Sequence, residues 1–266
     1  WPAGDWQIAN CDVGQGDSMV INLQHGQAIV IDVGPDPAAE NKCLRNLGIT
    51  EVPLLILSHF HADHVGGLSG LLQSRKVGQV WISNNLQPLL ESTNALSLLR
   101  ESEIVTVQKG LVSQIAGIQF EVLWPENTTR DFQSMPGDGS QINNSSIAML
   151  ISTPDWSIFT AGDLEPPAQH EILASVRKVD IYKVCDHGSK YQDEELMGAL
   201  SAQLAVISVG AKNSYGHPAP ETIAFLTRLG TQVVRTDADG AVAITAKDHH
   251  LRVRKSKGTI RLFYWS

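Results

Sequence analysis

The sequence predicts an α/β fold in which two β-sheets pack face to face and helices cover their outer surfaces. In each half of the chain, a run of short apolar segments broken by Gly, Asp and Asn is followed by helical segments. Polar residues recur where predicted strands end, so we expect them to gather along one edge. The 266 residues, 42% hydrophobic and 18% charged, have the composition of a globular protein, and we expect residues 1–266 to form one domain.

Short apolar segments in the first half are separated by turn residues, a pattern typical of strands. The first three follow one another closely, which predicts an antiparallel meander. The run over residues 54–57 is continuously apolar and indicates a strand buried on both faces. The predicted strands span residues 6–11, 18–23, 28–31, 54–57, 80–83, 104–107 and 118–123.

The first helix is predicted over residues 37–47. Asp36 before Pro37 favours its start, and Gly48 favours its end. Two further helices are predicted in this half, from Val65 onward and over residues 92–101.

The second half opens with a polar stretch, residues 127–145, whose length and Gly, Asn and Ser content predict a long loop of the kind that often carries function. A hairpin follows, with its turn at Asp155 and Trp156, and another loop is predicted over residues 210–220. The predicted strands span 147–152, 157–160, 181–184 and 204–209, with three closing strands, and the helices span 166–175, 194–199 and 221–229.

Charge and hydropathy limit the partners of the chain. The formal net charge of −8 argues against a strongly basic nucleic-acid clamp and against a polybasic membrane anchor. It leaves a nucleic-acid substrate open, because divalent metals can reverse the local sign of the charge. No apolar run approaches the roughly 18 to 20 residues that span a bilayer, so we expect no direct membrane insertion by this segment. The start at Trp1, without a signal-peptide pattern, is expected for an excised domain or a processed protein.

The three cysteines are Cys11, Cys43 and Cys185, without a CxxC pair, which excludes a structural zinc finger and a thioredoxin motif. The pattern favours buried apolar thiols. A disulfide between Cys11 and Cys43 is the alternative, mainly for a domain outside the cytoplasm.

Four side chains that can bind metal follow the buried strand directly. Burying them without partners would be costly, because imidazole and carboxylate lose their hydration, and a metal ion removes that cost. Such ligands suit zinc, manganese or iron. A turn can direct two of them to one ion and two to another; a coincidental cluster of polar loop residues is the alternative. The predicted ligands are His59 and His61 for one ion and Asp63 and His64 for the other.

In the segment SHFHADH, residues 58–64, followed by Gly66 and Gly67, the chain resembles the metallo-β-lactamase superfamily. The resemblance covers nearly the whole chain. It implies a four-layer αββα sandwich of two mixed sheets with helices outside, and a metal-dependent hydrolase. The implied centre lies at one sheet edge and holds two divalent metal ions, Zn²⁺ or Mn²⁺.

The resemblance extends to two later ligands. Asp163 in FTAGDLE matches the aspartate that bridges both metals, although a helix N-cap is the alternative role. His187 in VCDHGS matches the late histidine ligand of the second metal, with a structural turn histidine as the alternative. Relatives often carry two histidines here, whereas this chain has Asp186, which alters a hydrogen bond or the local charge.

The third histidine expected at the first metal is missing. The matching region, residues 142–146, reads INNSS. Asn143 or Asn144 is predicted to hold a metal-bound water or the substrate, with a plain loop role as the alternative. The first metal is therefore expected to be labile or a harder ion such as manganese.

A narrower resemblance rests on segments outside the histidine cluster. These are CDVGQGDS (11–18), IDVGP (31–35), NNSS, DHGS and SVGAKNSYGHP (208–218). Together they resemble the C-terminal domain of the ComEC competence proteins, and the pattern of Cys11 and Cys43 resembles actinobacterial members. The resemblance implies a domain on the extracytoplasmic side of a membrane protein, next to the transmembrane channel portion of the same protein. It implies a nuclease that degrades the DNA strand that is not imported.

Hydrolysis of this kind uses a hydroxide held between two metals about 4 Å apart. The resemblance implies Asp63 and Asp163 in the catalytic centre. His217 in YGHP is predicted to contact phosphate or to protonate the leaving oxygen, with a structural turn role as the alternative. Further candidates for binding the phosphate backbone, each also plausible as a solvated loop residue, are Lys212, Asn213 and Tyr215, the last by stacking on a base.

A glycine-broken turn after the first strand carries Asp12, Gln15 and Asp17, which are predicted to support the metal loop or simply to form a tight turn. Two other functions stay open for the whole chain. One is a hydrolase of the same fold that acts on another small ester, lactam or phosphodiester. The other is a non-catalytic DNA-binding module with a degenerate metal site.

Overall fold

The structure is a computed structural model that describes residues 1–2, 4–126 and 139–257. Its strands are β1 (Ile8–Asn10), β2 (Met19–Gln24), β3 (Gln27–Ile31), β4 (Glu51–Leu57), β5 (Lys76–Ile82), β6 (Glu103–Thr106), β7 (Val112–Ile115), β8 (Ile118–Trp124), β9 (Ala148–Ser152), β10 (Ser157–Thr160), β11 (Ile181–Lys183), β12 (Leu204–Ile207), β13 (Gln232–Arg235), β14 (Val242–Lys247) and β15 (His250–Lys255). Its helices are α1 (Pro37–Asn46), α2 (Ala62–Val65), α3 (Leu68–Leu72), α4 (Leu89–Leu98), α5 (Ser140–Asn143), α6 (Pro166–Glu171), α7 (Glu194–Leu200), α8 (Pro220–Arg228) and α9 (Thr236–Asp239).

The strands form two mixed sheets. The first has eight strands in the order β15-β14-β1-β2-β3-β4-β5-β6, and the second has seven in the order β13-β12-β11-β10-β9-β8-β7. Pairing in the first sheet is antiparallel up to β3 and parallel from β3 to β6. In the second it is parallel from β13 to β10 and antiparallel from there to β7. The predicted fold class and the antiparallel meander of the first three strands are confirmed.

Three hydrophobic clusters separate the four layers. The central one joins the inner faces of both sheets, for example Ile56 of β4 and Phe120 of β8. The second packs Leu44 of α1 and other helical residues against the first sheet, and the third packs Leu196 of α7 against the second sheet. Every strand near the centre is therefore covered on both faces, which is why the run over 54–57 is apolar throughout.

Several predicted boundaries shift in the structure. The helix predicted from Val65 onward is wrong as one unit, because the chain forms two short helices, α2 and α3, with Gly66 and Gly67 between them. Strand β7 was not predicted, since its alternating exposed residues lack an apolar run. The loop predicted over 127–145 contains α5 at its end, and residues 127–138 lie outside the described part.

The break between α2 and α3 brings two loops into backbone contact. A Cβ atom on Gly67 would lie 1.9 Å from the carbonyl oxygen of Val33, and the Gly67 amide donates to the carbonyl of Gly34 at 2.7 Å. In the same way, a Cβ on Gly16 would lie 2.2 Å from the carbonyl oxygen of Asp63. Only glycine allows this approach, which packs the loops after β1 and β3 against the histidine-rich segment.

Cys11 and Cys43 form a disulfide, so the preferred interpretation of buried thiols is wrong for this pair. Cys185 is a buried free thiol, as predicted. The disulfide joins the end of β1 to α1. Across the described ranges, no helix combines the length and apolarity needed to cross a bilayer.

Candidate metal centre

The ends of three strands bring the predicted ligands to one edge of the sandwich. His59 and His61 follow β4, Asp163 follows β10 and His187 follows β11. Asp63 lies in α2, one turn beyond β4. Ligand atoms of four side chains lie within 4.8 Å of one another, and these four are Asp63, His64, Asp163 and His187.

The atoms of this group lie close enough together that they could hold a metal ion. The Nε2 atom of His187 lies 3.2 Å from Oδ2 of Asp63 and 3.3 Å from Oδ2 of Asp163. The Nε2 atom of His64 lies 3.1 Å from Oδ2 of Asp163. Although buried, Nε2 of His64 and Oδ1 of Asp163 form no hydrogen bond with any residue of the described ranges. Two imidazoles and two carboxylates are a donor set for a divalent ion, and the unpartnered atoms fit such an ion.

His59 and His61 form the other half of the centre. The Nε2 atom of His59 lies 3.0 Å from Nδ1 of His61, so the two nitrogens converge. The Nδ1 atom of His59 faces the hydroxyls of Ser58 at 3.1 Å and Ser146 at 3.2 Å. The ring of His64 lies beside His59, with centroids 4.2 Å apart. Ser146 occupies the position in the INNSS region that contacts this pair.

The described asparagines of the INNSS region divide their roles. Asn144 is buried and exchanges hydrogen bonds with Glu165, because its Oδ1 accepts from the Glu165 amide at 3.2 Å. Asn143 donates to Oε1 of Glu165 at 3.1 Å, and its own buried Oδ1 has no hydrogen-bond partner among the described residues. Of the two, Asn143 lines the cleft beside the ligands.

Asp32 orients His64 and was missed as a functional residue. Its Oδ2 lies 2.9 Å from Nδ1 of His64. Its Oδ1 accepts from the Ser58 amide and its Oδ2 from the Ser58 hydroxyl, both at 2.8 Å. A proton on Nδ1 of His64 therefore has an acceptor, which leaves Nε2 to face the centre. The only sequence signal for this role was its place in the segment IDVGP.

Ser208 and Asp17 both lie next to Nδ1 of His187, and Asp17 belongs to the turn after β1. The Nδ1 atom of His187 lies 2.9 Å from the carbonyl oxygen of Ser208 and 3.3 Å from Oδ1 of Asp17. The buried Lys183 donates to Oδ2 of Asp17 at 2.6 Å. Asp12 instead pairs with Lys257 near the surface. Lys183 was not singled out from the sequence, because a lysine in an apolar strand gives no sign of its partner.

The charges of the centre depend on one another. Burial lowers the pKa of His64 and of His187, but the surrounding carboxylates together outweigh burial and hold both pKa values well above the ordinary histidine range. Asp163 contributes most at both rings, followed by Asp32 at His64 and Asp17 at His187. Burial raises the pKa of Asp163, but the two imidazoles hold it well below its ordinary value. Burial lowers the pKa of His59 well below its ordinary value, so this ring is neutral and able to offer a lone pair. A divalent cation at His64 and His187 would displace the protons of these two rings. A cation at His59 would bind a ring that is already neutral.

The loop before α8 carries the remaining candidates. Both groups of the Asn213 amide are used inside the loop: Nδ2 donates to the carbonyls of Gly210 and His217, both at 2.8 Å, and Oδ1 accepts from the amides of Tyr215 and His217. Asn213 therefore shapes the loop, while Lys212 is exposed on it. The ring of His217 stacks on His187, with centroids 6.5 Å apart.

Two adjoining cavities open at this edge. The one over the ligands has a volume of about 350 Å³ and is lined by His61, Asp63, Asp163 and His187, with His217 and Tyr215 on its rim. The other, of about 450 Å³, extends away from them. Asn143, Asp186, Tyr215 and His217 line both. Four of the predicted ligands, His61, Asp63, Asp163 and His187, thus meet His217 and Tyr215 in one cleft.

The sequence matches the model of the metallo-β-lactamase superfamily over residues 11–141. Among solved structures, the metallo-β-lactamase-fold protein YhfI of Bacillus subtilis covers 86% of this chain and 95% of its own at 11% identity, with a TM-score of 0.54. The zinc-bound PqqB of Methylobacterium extorquens covers 83% of this chain and 85% of its own at 10% identity, with a TM-score of 0.56. At these identities the two structures support the fold alone.

Curated relatives carry names from competence and recombination. ComE operon protein 3 of Bacillus subtilis is 30% identical over 92% of this chain and 34% of the relative. Recombination protein 2 of Haemophilus influenzae is 25% identical over 97% of this chain and 31% of the relative, and competence protein ComA of Neisseria gonorrhoeae is 22% identical over 99% and 35%. The chain thus spans about a third of the length of these relatives. The predicted resemblance to competence proteins is confirmed.

Proposed function

Because this chain contains a domain of the metallo-β-lactamase superfamily and is homologous to competence proteins, we propose that it is a metal-dependent phosphodiesterase that hydrolyses DNA. The observation that carries the proposal is the convergence of two imidazoles and two carboxylates within 4.8 Å at the base of an open cleft. When bound, two divalent ions such as Zn²⁺ or Mn²⁺ would neutralise the charge of a phosphodiester and activate water.

The residues of the chain would divide the work by position. His59 and His61 would hold one ion, and Asp163 would lie between the two. The second would be held by Asp63, His64 and His187. Asp32 and the carbonyl group of Ser208 would keep the metal-facing nitrogens of His64 and His187 unprotonated, because each accepts from Nδ1 of its histidine.

His217 and Asn143 would contact the substrate. Both line the cleft above the ligands. Burial lowers the pKa of His217, which favours its neutral ring at neutral pH and a hydrogen bond to the substrate. Asn143 donates to Glu165, so its side chain is oriented before a substrate arrives. Lys212, Asn213 and Asn144 would act less directly, the first through its charge and the others by shaping loops.

The natural setting that we propose is a longer membrane protein with this segment on the extracytoplasmic side. The disulfide between Cys11 and Cys43 supports an oxidising compartment. The competence relatives, about three times as long as this chain, support DNA as the substrate and a channel portion of the same protein as the partner. In that setting the domain would degrade the strand that is not imported.

The test is cleavage of labelled single-stranded and duplex DNA by the purified chain with Mn²⁺ or Zn²⁺, and with a chelator. We expect shortened products only with metal. Asp163→Asn and His61→Ala should each lower the rate at least 100-fold, because they remove ligands. His25→Ala, at an exposed turn, is the matched control and should cleave like the original chain.

Three results would overturn the proposal. The first is intact DNA with every metal, although the protein is folded and metal-loaded. The second is DNA binding without cleavage, which would identify a non-catalytic module. The third is rapid hydrolysis of a lactam or carboxylic ester while DNA and nitrophenyl phosphodiesters stay intact.

A further inference from the structure

The second cavity beside the metal centre is lined by aromatic and acidic side chains. It holds about 450 Å³, a size typical of small-molecule sites, and continues the cleft over the ligands through Tyr215, His217 and Asp186. Lys190 and Tyr191 line this cavity as well. A polymeric substrate bound at the metal ligands could therefore place the neighbouring part of its structure in this cavity.

Three aromatic rings lead from the centre to this cavity. His187 and His217 have centroids 6.5 Å apart with planes at 27°, and His217 and Tyr215 have centroids 5.7 Å apart with planes at 30°. Tyr215 is the outermost ring and is 71% exposed, although tyrosine side chains usually pack their rings. Asn213 accepts hydrogen bonds from the amides of Tyr215 and His217. These bonds fix the backbone of the loop that carries the exposed Tyr215 ring. Such a ring is a stacking surface for another aromatic group.

A second tyrosine, Tyr191, also lines the cavity. The ammonium group of Lys190 sits 5.1 Å from the centroid of the Tyr191 ring, a cation–π contact that orients the tyrosine. The amide of Tyr191 donates to the hydroxyl of Ser189 at 3.2 Å, which fixes the backbone at this point. The cavity is thus lined by two oriented tyrosines, of which Tyr215 also lines the cleft over the ligands.

The charge of the lining decides which part of a nucleotide belongs there. Glu165, Asp186 and Glu221 face the cavity, and Lys190 is its one basic side chain among the described residues. The carboxylates of Glu165 and Glu221 would repel a phosphate that lies away from the metal ions. A base is neutral, stacks on aromatic rings and carries amino groups that can donate to carboxylates.

From these observations we infer that the cavity is a nucleobase subsite, which takes one unpaired base beside the phosphate bound at the metal centre. The inference rests on the proposed function and narrows its substrate class to single-stranded DNA. A base in a duplex is stacked and paired on both sides, and it would have to leave the helix to reach the cavity.

The test uses two substrates that differ only by a nucleoside: methyl 4-nitrophenyl phosphate and the 4-nitrophenyl phosphate ester of thymidine, as its 3′ and 5′ isomers. We expect kcat/KM of the metal-loaded chain to be at least 10-fold higher for one thymidine isomer than for the methyl ester. Tyr215→Ala and Tyr191→Ala should each reduce this ratio about 5- to 100-fold, the range of base stacking on an aromatic side chain. Tyr215→Phe and Tyr191→Phe keep the rings and should retain the ratio.

Val112→Ala, at an exposed position of β7, is the matched control and should leave the ratio unchanged. The inference is wrong if the alanine variants lower hydrolysis of both esters equally, or if the original chain shows no preference for either thymidine isomer. Cleavage of duplex DNA as fast as single-stranded DNA would also overturn it. A folded, metal-loaded chain that hydrolyses neither ester would instead contradict the proposed function.

Discussion

The ammonium nitrogen of Lys183 lies 2.6 Å from Oδ2 of Asp17, and both side chains are buried. Burial raises the pKa of Asp17, but Lys183 and His187 outweigh it and keep that pKa below its ordinary value. The other oxygen of the carboxylate faces His187, so one ion pair connects β11 to a ligand of the centre.

Replacement of Lys183 by methionine is expected to leave a buried carboxylate without its cation. Removing one partner of a buried pair costs about 3–5 kcal/mol, so Lys183→Met should lower the free energy of unfolding by this order. Because the freed Asp17 carboxylate faces His187, the placement of this histidine should change as well, and affinity for the second metal ion should fall about 10- to 100-fold. Chemical unfolding and titration with Mn²⁺ measure the two effects. Lys178→Met, at an exposed position, should change neither.

The double variant Asp17→Asn with Lys183→Met separates charge from packing. It removes the unpaired charge, so we expect it to recover part of the lost stability while metal affinity stays low. Equal unfolding free energies for Lys183→Met and the original chain would show that the pair does not stabilise the fold.

Gly67→Ala is expected to disrupt the entry to α3, because its Cβ would lie 1.9 Å from the carbonyl oxygen of Val33. Relieving the clash requires a backbone shift next to His64, at a cost of about 1–3 kcal/mol or more. Gly198→Ala is the matched control, since nothing lies within 4 Å of its added carbon and it stands in α7. There the change should stabilise the chain by up to about 1 kcal/mol. Denaturant midpoints that move alike in both variants would contradict the close contact.

Glu40 makes stability depend on pH. It is fully buried in α1, and burial raises its pKa to about 8, with Arg75 and Ser18 opposing only in part. The unfolded chain releases this proton near the ordinary value of 4.5, so between about pH 4.5 and 8 the native state binds more protons. The contribution of Glu40 to the free energy of unfolding therefore falls as the pH rises through this window.

The glutamine side chain of Glu40→Gln is neutral at every pH. This variant should therefore remove the decrease in the free energy of unfolding that Glu40 causes as the pH rises. The variant is expected to gain stability relative to the original chain as the pH rises from 5 to 9, measured by denaturant unfolding at each pH. Glu101→Gln, at an exposed position, should follow the original curve. If Glu40→Gln and Glu101→Gln show the same pH profile, the buried carboxyl is not the cause.

The disulfide between Cys11 and Cys43 closes a loop with a sequence separation of 32. Crosslinks of this size contribute about 2–4 kcal/mol, chiefly by restricting the unfolded chain. The variant Cys11→Ser with Cys43→Ser should be destabilised by that amount and should melt at the same temperature with and without dithiothreitol. The melting temperature of the original chain should fall in dithiothreitol. An unchanged melting temperature there would mean that Cys11 and Cys43 are not paired.

Most of the fold and half of the centre could be predicted from local sequence. The apolar run over 54–57 and the cluster HFHADH after it are contiguous, so their spacing alone indicates a buried strand that delivers metal ligands. Asp163 and His187 followed from motifs at strand ends. The break at Gly67 was not predicted, because the reason for it is the Val33 carbonyl, which lies more than 30 residues earlier.

By itself, the sequence determined the two-sheet α/β architecture and the ligand types, because strand periodicity and ligand spacing are properties of neighbouring residues. Only the tertiary structure decided the partners that complete the centre. Lys183 meets Asp17 across 166 positions, and Asp32 reaches His64 across 32. Such pairs depend on strand order and register, which many sequences with the same local pattern could satisfy differently. The disulfide, the orientation of both histidines and the aromatic path to the second cavity have the same origin.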